Sequence, residues 1–156
     1  MFDTVLIAGL GLMGGSMAKT IKARTLSRVL GWNRTRATAE QALADGSIDA
    51  IATEALYTEA DLVIIGLYPQ ATVDWLLENM PKMKRGCVIV DMVGVKQFMV
   101  DHLEQAALDA GVHYVGGHPM AGREFSGLDF ALPTLFDGAS MIFVPTKSST
   151  ERVLEQ

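Results

Sequence analysis

Cysteine is nearly absent from this chain of 156 residues: Cys87 stands alone. A single thiol can form neither an internal disulfide nor a multi-cysteine zinc site. A reducing, cytoplasmic setting is the expectation that follows. An excess of positive charge is also missing. Lysine and arginine total 13 against 18 aspartate and glutamate, a formal net charge of -5. That balance argues against non-specific nucleic-acid binding, which rests on clustered cations. No uninterrupted apolar run approaches the length of a bilayer span. The apolar opening from Val5 to Met17 is broken by Gly9, Gly11, Gly14 and Gly15 and has no basic residue ahead of it, so it does not read as a signal peptide. Internal repeats, low-complexity tracts and linkers are lacking as well.

What remains is a globular composition, 49% hydrophobic and 20% charged, at a length that suits one domain with a sizeable core. Short apolar runs alternate with longer helical stretches, the pattern of βαβ units and a parallel sheet. Strands are expected at Val5–Ala8, Val29–Trp32, Leu62–Ile65, Cys87–Val90, Tyr114–Val115 and Met141–Val144, with a weaker one near Ile48–Ala52. The first is apolar on both faces, as suits a strand covered by helices on both sides. Helices are expected over Gly14–Arg24, Thr35–Ala44, Pro69–Met80 and Lys96–Ala110. Pro69 fits a first helical turn and Pro81 a stop, while Gly111 closes the last of the four. Ser148-Ser149-Thr150-Glu151 resembles a capping box opening a further helix. The chain reaches Gln156 after about two turns of it. This predicts a nucleotide-binding domain over residues 1–147, with 148–156 starting a helix that leads into a second domain.

Gly9-Leu10-Gly11-Leu12-Met13-Gly14 fits G-x-G-x-x-G immediately after a buried strand and at the opening of a helix, the context that makes this motif specific. Gly9 permits the tight turn, Gly11 lets backbone approach a pyrophosphate, and Gly14 lets helix and strand pack closely. The free amides of the loop, Leu12 and Met13 among its residues, and the helix dipole then attract phosphate. Ser16 could add a hydroxyl. The fold class is therefore α/β, a Rossmann-type doubly wound, mostly parallel sheet with helices on both faces. The end of the second strand selects the nucleotide. An NAD site usually carries a carboxylate there for the ribose 2′-hydroxyl; this chain has Asn33-Arg34-Thr35-Arg36. An arginine can hold a 2′-phosphate through charge-assisted hydrogen bonds worth about 1.5–3 kcal/mol, roughly tenfold to a hundredfold in preference. NADP is expected over NAD, with Asn33, Arg34 and Thr35 at its ribose end, unless the arginines are only solvated surface charges.

His118 lies in Gly116-Gly117-His118-Pro119-Met120-Ala121-Gly122. Flanking glycines would permit close approach by substrate and cofactor, and Pro119 would stiffen the loop. A neutral imidazole here could accept a hydrogen bond from a substrate hydroxyl while hydride leaves the attached carbon; a structural histidine is nearly as consistent with the local sequence. His102, on a helix, and His113, at the start of a strand, read as structural. No metal site is expected.

Gly9 to Ser16 (GLGLMGGS), Asp91 to Lys96 (DMVGVK), Gly117 to Gly127 (GHPMAGREFSG) and Ala131 to Gly138 (ALPTLFDG) together resemble the prephenate dehydrogenase family. The resemblance runs the length of the chain, and GHPMAG is its most specific part. It implies an NAD(P)-dependent oxidative decarboxylation of prephenate or arogenate in tyrosine biosynthesis. It also implies a helical second domain that dimerises and completes the substrate site. His118 would accept the hydrogen bond from the C4 hydroxyl, and Glu124 matches an acidic position near the active-site entrance. Leu67, Tyr68, Pro69, Thr72 and Gly94 would lie beside the cofactor, although Tyr68 could be ordinary packing. Two departures stand out. Gly94 replaces a serine common in that family, and Asn33 replaces its acidic residue after the second strand. Lys96 reads as a surface charge at a helix start. Two other readings remain: a β-hydroxyacid or 6-phosphogluconate type of NADP dehydrogenase, and a non-catalytic nucleotide-sensing module. Neither explains GHPMAG.

Overall fold

The apolar run at the front of the chain becomes the middle of the sheet. In the computed structural model, which describes residues 2–155, strand β1 (Thr4–Ala8) pairs in parallel with β2 (Arg28–Trp32) on one side and β4 (Leu62–Ile65) on the other. The short β3 (Ala50–Ile51) extends the β2 edge. Strands β5 (Val88–Asp91), β6 (His113–Pro119) and β7 (Met141–Pro145) extend the other. The order is β3-β2-β1-β4-β5-β6-β7. All pairs are parallel except β6–β7, where His118 lies opposite Ile142. The sheet is Rossmann-like, with its switch point between β1 and β4, where ligands of such sheets bind.

Helix α1 (Leu12–Arg24) and α2 (Arg36–Ala44) pack on one face through Ala18, Ala39 and Ala42 against Val5, Ile7 and Val29. The short α3 (Glu54–Tyr57), which has no counterpart in the sequence expectations, joins α4 (Pro69–Asn79) and α5 (Lys96–Ala110) on the other face, over Leu6, Leu30, Ile65 and Ile89. Both faces thus carry helices, but unequally. Beside α1 the sheet keeps an apolar groove of about 440 Å³, floored by Leu62, Ile64, Val88, Val90 and Val115.

Element types agree with the alternating pattern, and the differences have physical reasons. α1 begins two residues early, at Leu12, because Gly11 already serves as its N-cap. β6 is longer than Tyr114–Val115 because pairing with β7 extends it to Pro119. The expected capping box does not form. α6 (Glu151–Leu154) has Thr150 at its N-cap without a side-chain bond. Ser148 and Ser149 are spent elsewhere: the Ser148 hydroxyl accepts the Tyr114 amide, and the Ser149 hydroxyl accepts that of Thr146. Among the described residues, no helix is long and apolar enough to cross a membrane.

Candidate active site at the carboxyl edge of the sheet

Every turn that leaves a parallel strand at its carboxyl end opens on the same edge. The first of them is the glycine corner. Gly9 has φ +93°, and a side chain there would meet the Gly66 carbonyl oxygen at 2.8 Å. A Cβ on Gly14 would collide with the Gly9 carbonyl oxygen, so Gly14 is required for α1 to sit on β1. Gly11 differs. A Cβ there would meet nothing within 4 Å, so its backbone faces open space. The first bond inside the helix runs from the Gly15 amide to the Gly11 carbonyl at 2.8 Å. The amides of Leu12, Met13 and Gly14, ahead of it, have no intrahelical acceptor. An open approach at Gly11 and three undirected amides form a cradle suited to phosphate. Ser16 is no part of it. Its hydroxyl is fully buried and accepts the Leu132 amide at 2.9 Å.

A groove of about 500 Å³ runs from this corner across the end of β2 to α4, past Asn33, Arg34, Thr35, Leu67, Tyr68 and Asp74. Asn33 does not project freely into it. Its Oδ1 accepts the Leu10 amide at 3.0 Å and its Nδ2 donates to the Thr35 carbonyl at 3.1 Å, so the side chain splints the corner to the end of β2. Arg36 is paired with Glu40 at 2.8 Å. Arg34 is exposed and makes no ion pair among the described residues. Tyr68 is 84% exposed, which excludes ordinary packing as its role. Pro69 is the first residue of α4. Thr72 corrects the expectation of a cofactor contact. It is buried, and its hydroxyl donates to the Tyr68 and Leu67 carbonyls, stabilising the turn into α4.

His118 is not in a loop. It is the sixth residue of β6, held in register by β7. The glycines before it serve packing rather than ligand approach. A Cβ on Gly117 would collide with the Asp91 carbonyl oxygen, and one on Gly116 would lie 2.9 Å from the Lys96 side chain. The imidazole faces Gly94, where a Cβ would stand 3.6 Å from Cε1 and 3.9 Å from Nδ1. Nδ1 is buried and has no hydrogen-bond partner among the described residues. Among the described residues no hydrogen bond to Nε2 is formed, and the residue as a whole is half-buried. Gly94 therefore belongs beside the imidazole. Glu124 is exposed in the segment after β6. The other histidines are structural: His102 Nδ1 lies 2.7 Å from the Phe98 carbonyl, and His113 Nδ1 lies 2.6 Å from that of Ser148. By the usual strand spacing, the three steps from β1 to β6 put His118 about 14 Å from the glycine corner along the same edge.

A buried polar cluster next to His118 was not legible in the sequence. Asp91, with no exposure, accepts hydrogen bonds from the Lys96 ammonium, the Val93 amide at 2.8 Å and the Tyr114 hydroxyl at 2.6 Å. Lys96 is thus no surface charge. Burial pushes its pKa below the ordinary lysine value, partly offset by Asp91. Burial, with the Asp91 charge, pushes the Tyr114 phenol up. The Asp91 to Lys96 segment was marked only as part of the family resemblance, and nothing in it showed that the two charges would pair with each other and with Tyr114.

Fold and edge together define a nucleotide-binding α/β domain. The family model described as prephenate dehydrogenase, nucleotide-binding domain, matches residues 17–156, and the chain belongs to that family. It is 36% identical over 160 residues to a prephenate dehydrogenase of Bacillus subtilis, covering 100% of this chain and 43% of that protein. The chain therefore spans less than half the length of that relative. Among solved structures, prephenate dehydrogenase from A. aeolicus in complex with hydroxyphenyl propionate and NAD+ superposes with a TM-score of 0.89 at 27% identity, over 99% of this chain and 55% of that one. Synechocystis arogenate dehydrogenase shares the fold, with a TM-score of 0.86 at 24% identity over 97% and 53% of the two chains.

Proposed function

We propose that this chain is the cofactor-binding part of a prephenate dehydrogenase acting in tyrosine biosynthesis. The observation that carries the proposal is an imidazole without a hydrogen-bond partner among the described residues, on the same carboxyl edge as a glycine corner with undirected amides. Prephenate is favoured over arogenate by the Bacillus relative. Residues 148–156 lead into a helical domain that completes the substrate site and pairs two copies. The lone buried thiol, raised to about 12 by burial, suits a reducing cytoplasm.

The corner would hold a dinucleotide through Gly9, Gly11 and the amides of Leu12, Met13 and Gly14, with Leu67, Tyr68 and Pro69 along its flank. When bound, the nicotinamide supplies the hydride acceptor. His118 Nε2 accepts the hydrogen bond from the substrate C4 hydroxyl as C4 loses hydride and the ring loses carbon dioxide. Glu124 stands at the entrance to the site. A base at Nε2 requires the proton on Nδ1, which is buried and lacks an acceptor. Gly94→Ser would place an oxygen within reach of Nδ1, favour that tautomer, and raise kcat in the full-length enzyme. An unchanged or lower kcat would show that Gly94 is not the reason for any shortfall.

The relative from A. aeolicus binds NAD+. For this chain we favour NADP, because Arg34 lines the groove without an ion pair among the described residues and no carboxylate ends β2. Assay of the full-length enzyme with prephenate should yield carbon dioxide and reduced cofactor in equal amounts. Oxidation of a β-hydroxyacid instead of prephenate or arogenate would replace this reading. In the same assay, Arg34→Ala should lower preference for NADP by roughly tenfold to a hundredfold. Combined with Asn33→Asp, it should turn preference toward NAD. An unchanged cofactor ratio would mean that the 2′-phosphate lies elsewhere. The isolated 156 residues should bind NADP and turn over slowly at best.

A further inference from the structure

Lys96 is the first residue of α5, where a cation opposes the helix dipole. It is also largely withdrawn from water, against a carboxylate with no exposure at all. Both placements cost stability, and a buried ion pair often contributes less than an apolar replacement of the same shape. Retaining it therefore calls for a role other than stability. The geometry supplies one. The three donors to Asp91 come from three different places: Lys96 from α5, Val93 from the β5–α5 turn, and Tyr114 from β6. The Lys96 stem lies against Gly116, the Asp91 carbonyl closes on Gly117, and Gly94, between Asp91 and Lys96, faces the His118 ring.

We propose that Asp91, Lys96 and Tyr114 are positioning residues for His118: the buried pair fixes the β5–α5 turn against the imidazole and balances the charge beside it. The role rests on His118 being the base. The titratable groups nearest His118 in the chain are Asp91 at the end of β5, Lys96 at the start of α5, Tyr114 on β6 itself, and Arg123 and Glu124 in the segment after β6; His113 starts β6, Asp101, His102, Glu104 and Asp109 lie further along α5, and β7 has none. Arg123 and Glu124 are exposed and screened by water, which leaves the Asp91–Lys96 pair as the dominant local charges.

The test is an NMR titration of the His118 ring in this chain, its signal assigned against His118→Asn. In Lys96→Met the unbalanced carboxylate favours imidazolium, and the titration midpoint should rise. In Asp91→Asn the unbalanced ammonium should lower it. Each shift should be about half a pH unit or more. Tyr114→Phe, which removes one donor from Asp91, should move the midpoint up by less. Opposite signs are what a charge pair acting on the imidazole produces, whereas a pair that only held the fold, too far from the ring to act on it, would move neither midpoint. Shifts of the same sign, or none in folded variants, would overturn the proposal. If Lys96→Met does not fold, opposite signs for Asp91→Asn and Tyr114→Phe decide the question. The readout needs no turnover, so it fails independently of the assigned reaction.

Discussion

Replacing His118 by asparagine in the full-length enzyme should lower kcat by about 10²–10⁴-fold, the usual contribution of one positioned base. Asparagine nearly preserves volume and can still hydrogen-bond, but it cannot take up a proton. β6 should be undisturbed, because its register with β7 is set by backbone pairing and by the close fit of Gly116 and Gly117. Cofactor affinity should stay within about twofold, since His118 lies three strands from the glycine corner and a residue acting only on the reacting atoms changes kcat without uniform binding. Stopped-time kinetics with prephenate, alongside fluorescence titration of the cofactor, separate the two effects. A variant that keeps wild-type kcat removes His118 from the chemistry. Equal losses in kcat and cofactor affinity would instead make it a structural residue.

The second large effect concerns two glycines three residues apart whose roles differ. Gly14→Ala would force a methyl group into the Gly9 carbonyl oxygen. Neither partner can yield, because the contact is with backbone, so α1 must lift from β1. Overpacking of this kind costs about 1–3 kcal/mol or more. The amides of Leu12 and Met13 move with the helix. The expected result is a lower Tm together with loss of cofactor binding. Gly11→Ala has no neighbour to strike within 4 Å; its φ of -79° is open to alanine. It should leave Tm nearly unchanged while weakening the dinucleotide, because the methyl occupies the approach a pyrophosphate needs. Thermal melts and cofactor titrations of both variants provide the check. If Gly11→Ala bound the dinucleotide like the unaltered chain, the phosphate cradle would have to lie elsewhere.

Strand and helix positions and the glycine corner could be read along the chain, because each depends on neighbours a few residues away. Apolar runs such as Leu62–Ile65, the Gly9–Gly14 spacing and the left-handed Gly111 after α5 (φ +69°) are local facts. Side-chain assignments that depended on distant partners were not legible. Ser16 was free to meet phosphate until Leu132, 116 residues away, donated its amide to the hydroxyl. Lys96 looked solvated until the sheet brought Asp91 and Tyr114 together across 23 residues. His118 looked like a loop residue until β7 returned antiparallel beside it. A polar side chain takes whichever partner the folded chain brings to it. Sequence periodicity therefore determined which segments are buried, and only the tertiary structure decided which hydroxyls, amides and charges remain free to meet a ligand.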